Sequence, residues 1–224
     1  MAPRLTIVVP VLNEAGVIGE ALGALATLRA GGHEVIVVDG GSADGTAELV
    51  APLCDQLVRS PRGRALQMNV GARVAHGDAL VFLHADTRLP EGADLLIGEA
   101  LAHSPWGRFD VRIASERWLL RMVAWTMNLR SRLTGIATGD QAIFVRRDAF
   151  GGFPEIALME DIAFSRAMKR RSRPACLRAR VTTSARRWEA HGVVRTILLM
   201  WRLRLLFALG IPPQRLAREY ADQR

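Results

Sequence analysis

Four strand-like segments in the first half of the 224-residue chain, three of them apolar runs, each lead into polar or glycine-rich residues. Apolar runs of this length are typical of strands buried on both faces, and in open parallel sheets ligands bind at the carboxyl ends of such strands. Carboxylates that face a basic loop at this edge suit a nucleoside diphosphate, because one accepts hydrogen bonds from base or ribose while another holds a cation beside the phosphates. The residues that follow the four segments are Asn13 and Glu14, Gly40 to Asp44, Arg62 to Arg64, and His84 to Asp86.

Asp86 is the strongest single candidate for a metal ligand. It lies in a short polar stretch directly after the apolar strand predicted over 79–84. Magnesium at nucleotide sites is usually held by one or two carboxylates together with substrate phosphates. The sequence therefore predicts a divalent cation, Mn²⁺ or Mg²⁺, at Asp86.

Three widespread motifs are absent from the sequence. There is no G-x-G-x-x-G nicotinamide fingerprint, no G-x-x-x-x-G-K-[ST] phosphate loop and no G-x-S-x-G nucleophile elbow. These absences argue against dehydrogenases, P-loop enzymes and serine hydrolases.

The two cysteines, Cys54 and Cys176, form neither a disulfide framework nor a four-ligand zinc site on their own, which favours a reducing, cytoplasmic setting.

The net charge of +8 is concentrated in the second half of the chain. Residues 1–112 carry 9 arginines and 13 acidic residues, a net charge of −4, whereas residues 113–224 have a net charge of +12. A basic half favours phosphates, a membrane surface or nucleic acid as partner. Aromatic residues are only 6% of the chain, which argues against a nucleic-acid stacking surface. A genomic preference for arginine codons explains the charge equally well, since Lys169 is the only lysine beside 29 arginines.

Strand-like and helix-like segments alternate through the first half and predict an α/β fold. The predicted strands are 5–11, 34–39, 56–59 and 79–84, and the predicted helices are 14–28, 44–53, 63–76 and one that begins at Pro90. This alternation predicts a mostly parallel, doubly wound, Rossmann-like sheet with helices on both faces. The second half is predicted to contain a half-exposed strand over 108–114, helices over 116–133, 160–170 and 192–209, and strands over 141–146 and 176–182.

Two helices of the second half carry faces of different character. The helix over 116–133 has a polar stripe, which is typical of a solvated face; its members are Arg117, Arg121, Asn128 and Arg132. The helix over 192–209 is apolar nearly all round, although Arg195 and Arg202 share one side and Arg204 points nearly opposite. A helix of this kind is deep core, or it contacts a membrane surface or a partner subunit.

Membrane spans and targeting segments are not expected. No uncharged apolar run approaches the roughly 18 residues of a span, and the apolar run near the N-terminus is too short for a signal peptide. The expected location is the cytoplasm. The apolar helix over 192–209 also suggests peripheral contact with the inner face of the membrane.

Three motifs in this order resemble family 2 glycosyltransferases, which have the GT-A fold. They are VPVLNE from Val9 to Glu14, VVDGGSADGT from Val37 to Thr46, and FLHAD from Phe82 to Asp86. Further segments that fit the family are Gly63 to Gly71, Gly139-Asp140-Gln141, Met159-Glu160-Asp161 and Arg186-Arg187-Trp188. The pattern covers roughly residues 4–190 and is similar to a small bacterial subgroup named for its association with radical-SAM and selenodomain genes.

The resemblance implies a role for each motif. Asp39 would contact the nucleobase, and Asp86 would bind Mn²⁺ or Mg²⁺ together with the diphosphate. Asp161, with Glu160 beside it, would take the proton of the acceptor hydroxyl, and Trp188 would lie near the sugar and the leaving group. The remaining donor-binding residues are Pro10, Val11, Leu12, Asn13, Glu14, Gly40, Gly41, Ser42, Asp44, Arg64, His84 and Ala85.

The sequence departs from the family pattern at two positions. His84 stands where the first aspartate of the D-x-D motif is found. A histidine can ligate the metal or hydrogen-bond a ribose, but it removes one negative charge from the site. Ser184 stands where the late motif begins with a glutamine that is associated with processive members, so a single transfer is expected.

The resemblance implies one GT-A domain over 1–224, with a nucleotide-sugar half over 1–110, an acceptor half over 111–190 and a helical extension over 191–224. Its implied activity is inverting transfer from a nucleoside-diphosphate sugar to the hydroxyl of a lipid or small metabolite, without a nucleic-acid partner. A membrane surface or a second copy of the chain would bind the C-terminal helix. The residues alone leave two alternatives: a nucleotidyltransferase, whose Gly-rich and Lys-bearing first loop is missing, or a non-catalytic nucleotide-binding module docked on a membrane.

Overall fold

Continuous apolar runs form the centre of one eight-stranded sheet in the computed structural model, which describes residues 3–222 apart from the side chains of residues 187, 191, 221 and 222. The order across the sheet is β3-β2-β1-β4-β7-β6-β8-β5. The strands are β1 (Leu5–Val11), β2 (Glu34–Asp39), β3 (Gln56–Arg59), β4 (Ala79–Phe82), β5 (Thr87–Arg88), β6 (Trp106–Ala114), β7 (Ile143–Arg146) and β8 (Ala175–Ser184).

Strand direction differs between the two halves of the sheet. In the first half, β1 is parallel to β2 and β4, and β2 is parallel to β3. In the second half, β7 is antiparallel to both β4 and β6, β8 is parallel to β6, and β5 is antiparallel to β8. The predicted α/β sheet is thus confirmed, and four of its seven strand pairings are parallel.

Helices cover both faces of the sheet, as predicted. They are α1 (Ala15–Gly23), α2 (Ala26–Ala30), α3 (Thr46–Val50), α4 (Arg64–Val74), α5 (Ala93–His103), α6 (Trp118–Thr134), α7 (Glu160–Lys169), α8 (Arg186–His191), α9 (Val193–Ala208) and α10 (Pro213–Asp222). Side chains of β1 alternate between two cores: Ile7 and Val9 face α1 and α5, whereas Val8 faces α4 and α7. Gly71 allows α4 to lie close to the sheet, because a Cβ there would collide with Val8.

Two helix predictions in the first half were wrong in their bounds. The helix predicted over 14–28 is divided into α1 and α2, since the chain turns after Gly23. The helix predicted to begin at Pro90 begins at Ala93 instead. Gly92 is the N-cap and adopts a left-handed conformation with φ 65°, which glycine tolerates, so Pro90 lies in the turn before the helix.

The prediction of a half-exposed strand over 108–114 was wrong, because most of β6 is buried. Its polar residues are paired inside the protein: Arg108 and Asp110 form a buried ion pair, and Arg132 of α6 donates to Asp110 at 2.7 Å. Asn128 of α6 accepts from Val111 N–H at 2.8 Å and donates to the Val111 carbonyl at 2.9 Å. The solvated face predicted for this helix therefore holds α6 against β6 at Asn128 and Arg132.

Exposed apolar faces lie on the other side of α6 and along α9. Those of α6 are Trp118, Met122, Trp125, Leu129 and Leu133, and those of α9 are Val194, Leu198, Trp201, Leu205 and Leu209. Their side chains are between 39% and 78% exposed. Both sets repeat at intervals of three or four residues, so each forms one continuous stripe.

The helices of residues 3–222 are all too short or too polar to cross a membrane.

Candidate active site

A cavity of about 950 Å³ opens at the carboxyl ends of β1 and β4 and at the end of β8. The loops that follow these strands supply Glu14, Asp86 and Arg186 to its wall. Helices α6 and α9 supply another part of the wall, which includes Arg130 and Arg204. The volume lies at the upper end of the range of small-molecule sites, about 300–1,000 Å³, so the cavity has room for a large ligand or for two.

The loops after β1 and β2 are hydrogen-bonded to each other. Asn13 N–H donates to Ser42 Oγ, and Ala43 N–H donates to Asn13 Oδ1, both at 2.9 Å. Asp44 Oδ2 accepts from Ala15 N–H at 3.1 Å. Asn13 has a positive φ of 54°, a conformation in which asparagine is enriched. The two loops therefore form one ordered edge without a ligand.

Asp39 lies behind this edge and is only 2% exposed. Its carboxylate accepts from Ser42 Oγ at 2.5 Å, from Ser42 N–H at 3.1 Å and from Gly41 N–H at 3.2 Å. Gly40 packs on the amide of Gln67, which donates to backbone carbonyls of β1 and β2 at 2.8 Å. Asp39 thus sets the shape of the loop that follows β2.

The structure brings about half of the predicted site residues to the cavity. Those at its wall are Pro10, Leu12, Asn13, Glu14, Arg64, His84, Ala85, Asp86 and Trp188. Those that do not line it are Val11, Asp39, Gly40, Gly41, Ser42, Asp44, Glu160 and Asp161. Val11 is a core residue, and Ser42 and Asp44 of the second group are bonded to the loop after β1.

His84 is held between two neighbours on the 139–141 turn. Its Nδ1 lies 3.2 Å from Asp140 Oδ1. Its Nε2 is buried and has no hydrogen-bond partner among the described residues. A Cβ on Gly139 would collide with the imidazole, so only glycine fits at that position. The ring is thus fixed by Asp140 on one side and by Gly139 on the other.

The residues at the cavity fit a cation that arrives with phosphate groups. Within residues 3–222, no three His, Cys, Asp or Glu side chains are grouped to hold a metal ion by themselves. Asp86 lies at the wall, and its backbone carbonyl accepts from Ser184 N–H at 3.2 Å. One or two carboxylates plus phosphate oxygens and water are sufficient for Mg²⁺ or Mn²⁺ at nucleotide sites. Asp86 meets this requirement more readily than His84, whose two nitrogens face Asp140 and Gly139.

Helix α7 begins with two carboxylates in different surroundings. Glu160 is buried and lies 3.7 Å from Arg64, and its burial together with the charge of Asp161 raises the pKa of its carboxyl group. Asp161 accepts from Gly139 N–H at 3.0 Å and from Ile162 N–H at 2.7 Å. Asp161 therefore connects the start of α7 to the turn that also carries Asp140.

Helix α8 closes the cavity from the side of β8. Arg186 donates to Glu14 at 2.8 Å, and this hydrogen bond raises the pKa of the Arg186 guanidinium. Trp188 is half-buried, lines the cavity and packs against the cluster that contains Ile113 and Val193. The side chain of Arg187, which belongs to the same motif, lies outside the described residues.

Sequence reasoning missed the arginines on the helical part of the wall. Arg130 lies off the polar stripe of α6, and no motif marks it. Arg204 gave one signal, since it points away from Arg195 and Arg202 on an otherwise apolar helix. The structure shows that this direction is toward the cavity.

Residues 6–150 match the family described as Glycosyl transferase family 2. A relative from Mycobacterium tuberculosis, a PGL/p-HBAD biosynthesis glycosyltransferase, is 34% identical over 166 residues, which cover 67% of this chain and 62% of that protein. The chain thus spans less than two thirds of the length of this curated relative.

Solved structures show the same fold. TarS 1–349 of Staphylococcus aureus in complex with UDP-GlcNAc has a TM-score of 0.68 at 20% identity, over 81% of this chain and 58% of that one. The mannosyltransferase PcManGT from Pyrobaculum calidifontis in complex with GDP-Man and Mn²⁺ has a TM-score of 0.61 at 24% identity, over 81% of this chain and 57% of that one. These matches confirm the predicted GT-A fold.

Proposed function

The chain belongs to glycosyl transferase family 2, and on that premise we propose that it transfers a sugar from a nucleoside-diphosphate sugar to an acceptor hydroxyl. The observation that carries the proposal is the cavity at the carboxyl ends of β1 and β4, where Asp86 and Arg186 meet two mutually bonded loops. Glu14 is paired with Arg186 and Asp140 with His84, whereas Asp86 forms no ion pair among the described residues. A carboxylate of this kind beside several guanidinium groups suits a diphosphate that brings a divalent cation. Two relatives of known structure were solved with UDP-GlcNAc and with GDP-Man and Mn²⁺.

The donor nucleotide is proposed to bind along Pro10 to Glu14 and the loop after β2. Asp39 is proposed to recognise the base, and its hydrogen bonds to Gly41 and Ser42 support this role by fixing the loop on which the base would rest. Asp86 would hold Mn²⁺ or Mg²⁺ together with diphosphate oxygens. The cation supplies charge neutralisation of the leaving diphosphate. Arg64 and Arg186 at the same wall add to that neutralisation.

The transfer is proposed to be an inverting, single displacement. A bond forms between the acceptor oxygen and the anomeric carbon while the bond from that carbon to the diphosphate breaks, and the hydroxyl proton passes to Asp161. Asp161 does not itself line the cavity, but its carboxylate accepts from Gly139 N–H, next to Asp140, which does. Glu160 is buried, paired with Arg64 and less suited to the role. Trp188 at the cavity wall is proposed to pack beside the sugar. Ser184 in place of the glutamine of processive members supports a single transfer.

A thermal-shift screen tests the proposed function. The full chain is heated with UDP-, GDP-, CDP- and dTDP-sugars, each with and without Mn²⁺, and with inorganic pyrophosphate as a control. We expect one nucleotide to raise the melting temperature, and more so with Mn²⁺. The absence of any nucleotide-dependent shift, together with binding to lipid vesicles, would replace the enzyme by a non-catalytic membrane-docked module.

The exposed stripes of α6 and α9 are proposed to rest on an anionic membrane at its cytoplasmic face. The two stripes border the cavity through Met122 and Trp201, so an acceptor in the membrane could reach the site directly. Exposed arginines flank both stripes, among them Arg121 and Arg195, and would attract anionic lipids. The sequence indicated only the C-terminal helix for this contact.

Sedimentation with vesicles of phosphatidylglycerol or of phosphatidylcholine tests the membrane proposal. We expect binding to phosphatidylglycerol that weakens in the variants Trp125→Ser and Leu198→Ser. The matched controls Leu49→Ser and Leu95→Ser change leucines that are exposed elsewhere and should bind as the wild type does. A stable dimer by light scattering, with no vesicle binding, would assign the stripes to a second copy of the chain.

The finer resemblance to the radical-SAM and selenodomain-associated subgroup is also a proposal. It rests on the whole pattern of motifs over roughly residues 4–190.

A further inference from the structure

Arg130 is a half-buried cation that forms no ion pair among the described residues. Its side chain reaches the cavity from the C-terminal half of α6, and its Nε and Nη2 atoms are buried with no hydrogen-bond partner among the described residues. Buried polar groups in folded proteins are nearly always paired, and an unpaired buried charge is expensive in free energy. A ligand that completes the pairing would explain why an arginine stands at this position.

Arg204 approaches the same cavity from α9. Over residues 3–222, neither Arg204 nor Arg130 forms an ion pair with a carboxylate. Burial and the charges of Arg204 and Arg108 together lower the pKa of Arg130 to about 10, while the charge of Asp161 acts in the opposite direction. The carboxylate of Asp161 is within electrostatic reach, yet its hydrogen bonds go to two backbone N–H groups. The cavity wall thus holds two uncompensated cations near the proposed base.

The donor diphosphate has other partners. Arg62 lies in the loop after β3, and Arg64 and Arg186 are the first residues of α4 and α8, so these three arginines line the cavity with Asp86 at the strand ends. Arg130 and Arg204 lie instead on two helices of the second half. A second anion is therefore needed to neutralise them.

We propose that Arg130 and Arg204 bind a phosphate group carried by the acceptor, beside the carboxylate of Asp161. The inference rests on the proposed function, because it names the class of acceptor for that site. Guanidinium groups bind phosphate through two parallel N–H bonds, and two arginines match the double charge of a phosphate monoester. Met127, Ile197 and Met200 line the same part of the wall, so the acceptor also has an apolar portion.

The test uses thermal shift with inorganic phosphate and with dodecyl phosphate as probes. The full chain is held in UDP, GDP and Mg²⁺ to fill the donor side, with sodium chloride added to equal ionic strength. The variants Arg130→Met and Arg204→Met remove the two cations from the cavity. Arg73→Met and Arg170→Met are matched controls, because they make the same change at exposed positions of α4 and of the end of α7, outside the cavity.

We expect phosphate probes to raise the melting temperature of the wild type and of both controls, but not of Arg130→Met or Arg204→Met. Without a probe, Arg130→Met should melt at the wild-type temperature or above it, since the variant loses an unpaired buried charge. A purely structural arginine would give the opposite result, a lower melting temperature with the phosphate shift retained, and that result would overturn the inference.

The two probes separate the sources of the phosphate. Much tighter binding of dodecyl phosphate supports a lipid phosphate, and equal binding supports a small phosphorylated acceptor. Binding of neither probe, while nucleotides still bind, overturns the inference and leaves the proposed function standing. If no nucleotide binds, the proposed function fails, and so does the assignment to an acceptor. A loss of UDP and GDP affinity in Arg130→Met would assign the arginines to the donor and overturn the inference.

Discussion

The two sides of the cavity differ in how their polar groups are paired. On the donor side, the loops after β1 and β2 bond to each other, and the Asp39 carboxylate accepts from Gly41 and Ser42. On the side of α6 and α9, Arg130 and Arg204 have no carboxylate partner among the described residues, and apolar stripes are exposed nearby. Polar side chains that are hydrogen-bonded or ion-paired in the free protein preorganise a site, whereas unpaired ones indicate the charge of the ligand that the site binds. We infer that the polar groups of the donor side are already paired before a ligand binds, whereas those of the acceptor side become paired only when its ligand binds.

The largest expected effect is that of Asp161→Asn, which tests whether turnover can be lost while binding on the donor side is kept. Asparagine keeps the shape and one acceptor oxygen but cannot take a proton, so turnover should fall by about 10²–10⁴-fold. Donor affinity, measured by calorimetry, should not change. Asp148→Asn is the control, since Asp148 is exposed and outside the cavity. Full turnover in Asp161→Asn with loss in Asp140→Asn would move the base to Asp140.

On the donor side, Asp39→Ala should weaken nucleotide binding even without metal. Loss of a charge-assisted hydrogen bond costs roughly 1.5–3 kcal/mol, which is about 10–100-fold in affinity. Ser42→Ala removes only the hydroxyl that bonds Asp39 and Asn13, and its effect on the dissociation constant should be smaller. Equal losses in both variants would show that Asp39 acts through the loop alone and does not contact the base.

On the acceptor side, Asn128→Ala should reduce stability and leave donor binding intact. The variant breaks two hydrogen bonds between α6 and Val111 of β6, and leaving those buried backbone groups unpaired costs about 1–3 kcal/mol. For a chain of this size, that loss corresponds to a melting temperature lower by about 2–12 °C. A matched change on the exposed side, Arg121→Ala, should have little effect. A weaker donor affinity in Asn128→Ala would contradict the separation of the two sides.

The smallest expected effect concerns pH. Burial and the charge of Asp161 raise the pKa of Glu160 in the folded protein above its unfolded value. The folded state therefore holds this proton more tightly, and the contribution of Glu160 to the free energy of unfolding falls as pH rises from about 4.5 through the folded pKa. Glu160→Gln removes that decline, so its melting temperature relative to wild type should increase toward neutral pH. The control Glu155→Gln, at an exposed position, should show no such trend. A melting-temperature difference between Glu160→Gln and wild type that does not change with pH would contradict the raised pKa of Glu160.

The first half of the fold was predictable from sequence mainly because β1, β2 and β4 are buried on both faces, whereas β3 is partly exposed. Continuous runs such as 5–11 and 34–39 admit one interpretation, and their polar ends mark the cavity edge. The second half was not predictable to the same degree. In β6, the alternation of Arg108 and Asp110 with apolar residues indicates a half-exposed strand, but the two charges neutralise each other in the interior.

The acceptor side illustrates why helix periodicity alone does not identify function. The amphipathic pattern of α6 is clear from sequence, yet its polar side is bonded to β6 at Asn128, and its tryptophans face outward. Arg130 belongs to neither stripe, so only the packing of α6 against α9 reveals that it reaches the cavity. Likewise, Asp39 and Asp161 carry motif signals, but sequence could not show that their carboxylates are bonded to backbone N–H groups of neighbouring loops.

Calorimetry of UDP and GDP binding to wild type and Asp86→Asn, each with and without Mn²⁺, tests the proposed function most directly. Asp86 is the carboxylate that the cavity offers to a cation arriving with diphosphate. Wild type should bind one of the two nucleotides, and more tightly with Mn²⁺, while Asp86→Asn should lose the gain from Mn²⁺ and Asp148→Asn should keep it. An Mn²⁺-dependent affinity that is the same in Asp86→Asn as in wild type would contradict the assignment of Asp86 and of this cavity to the nucleotide-sugar donor.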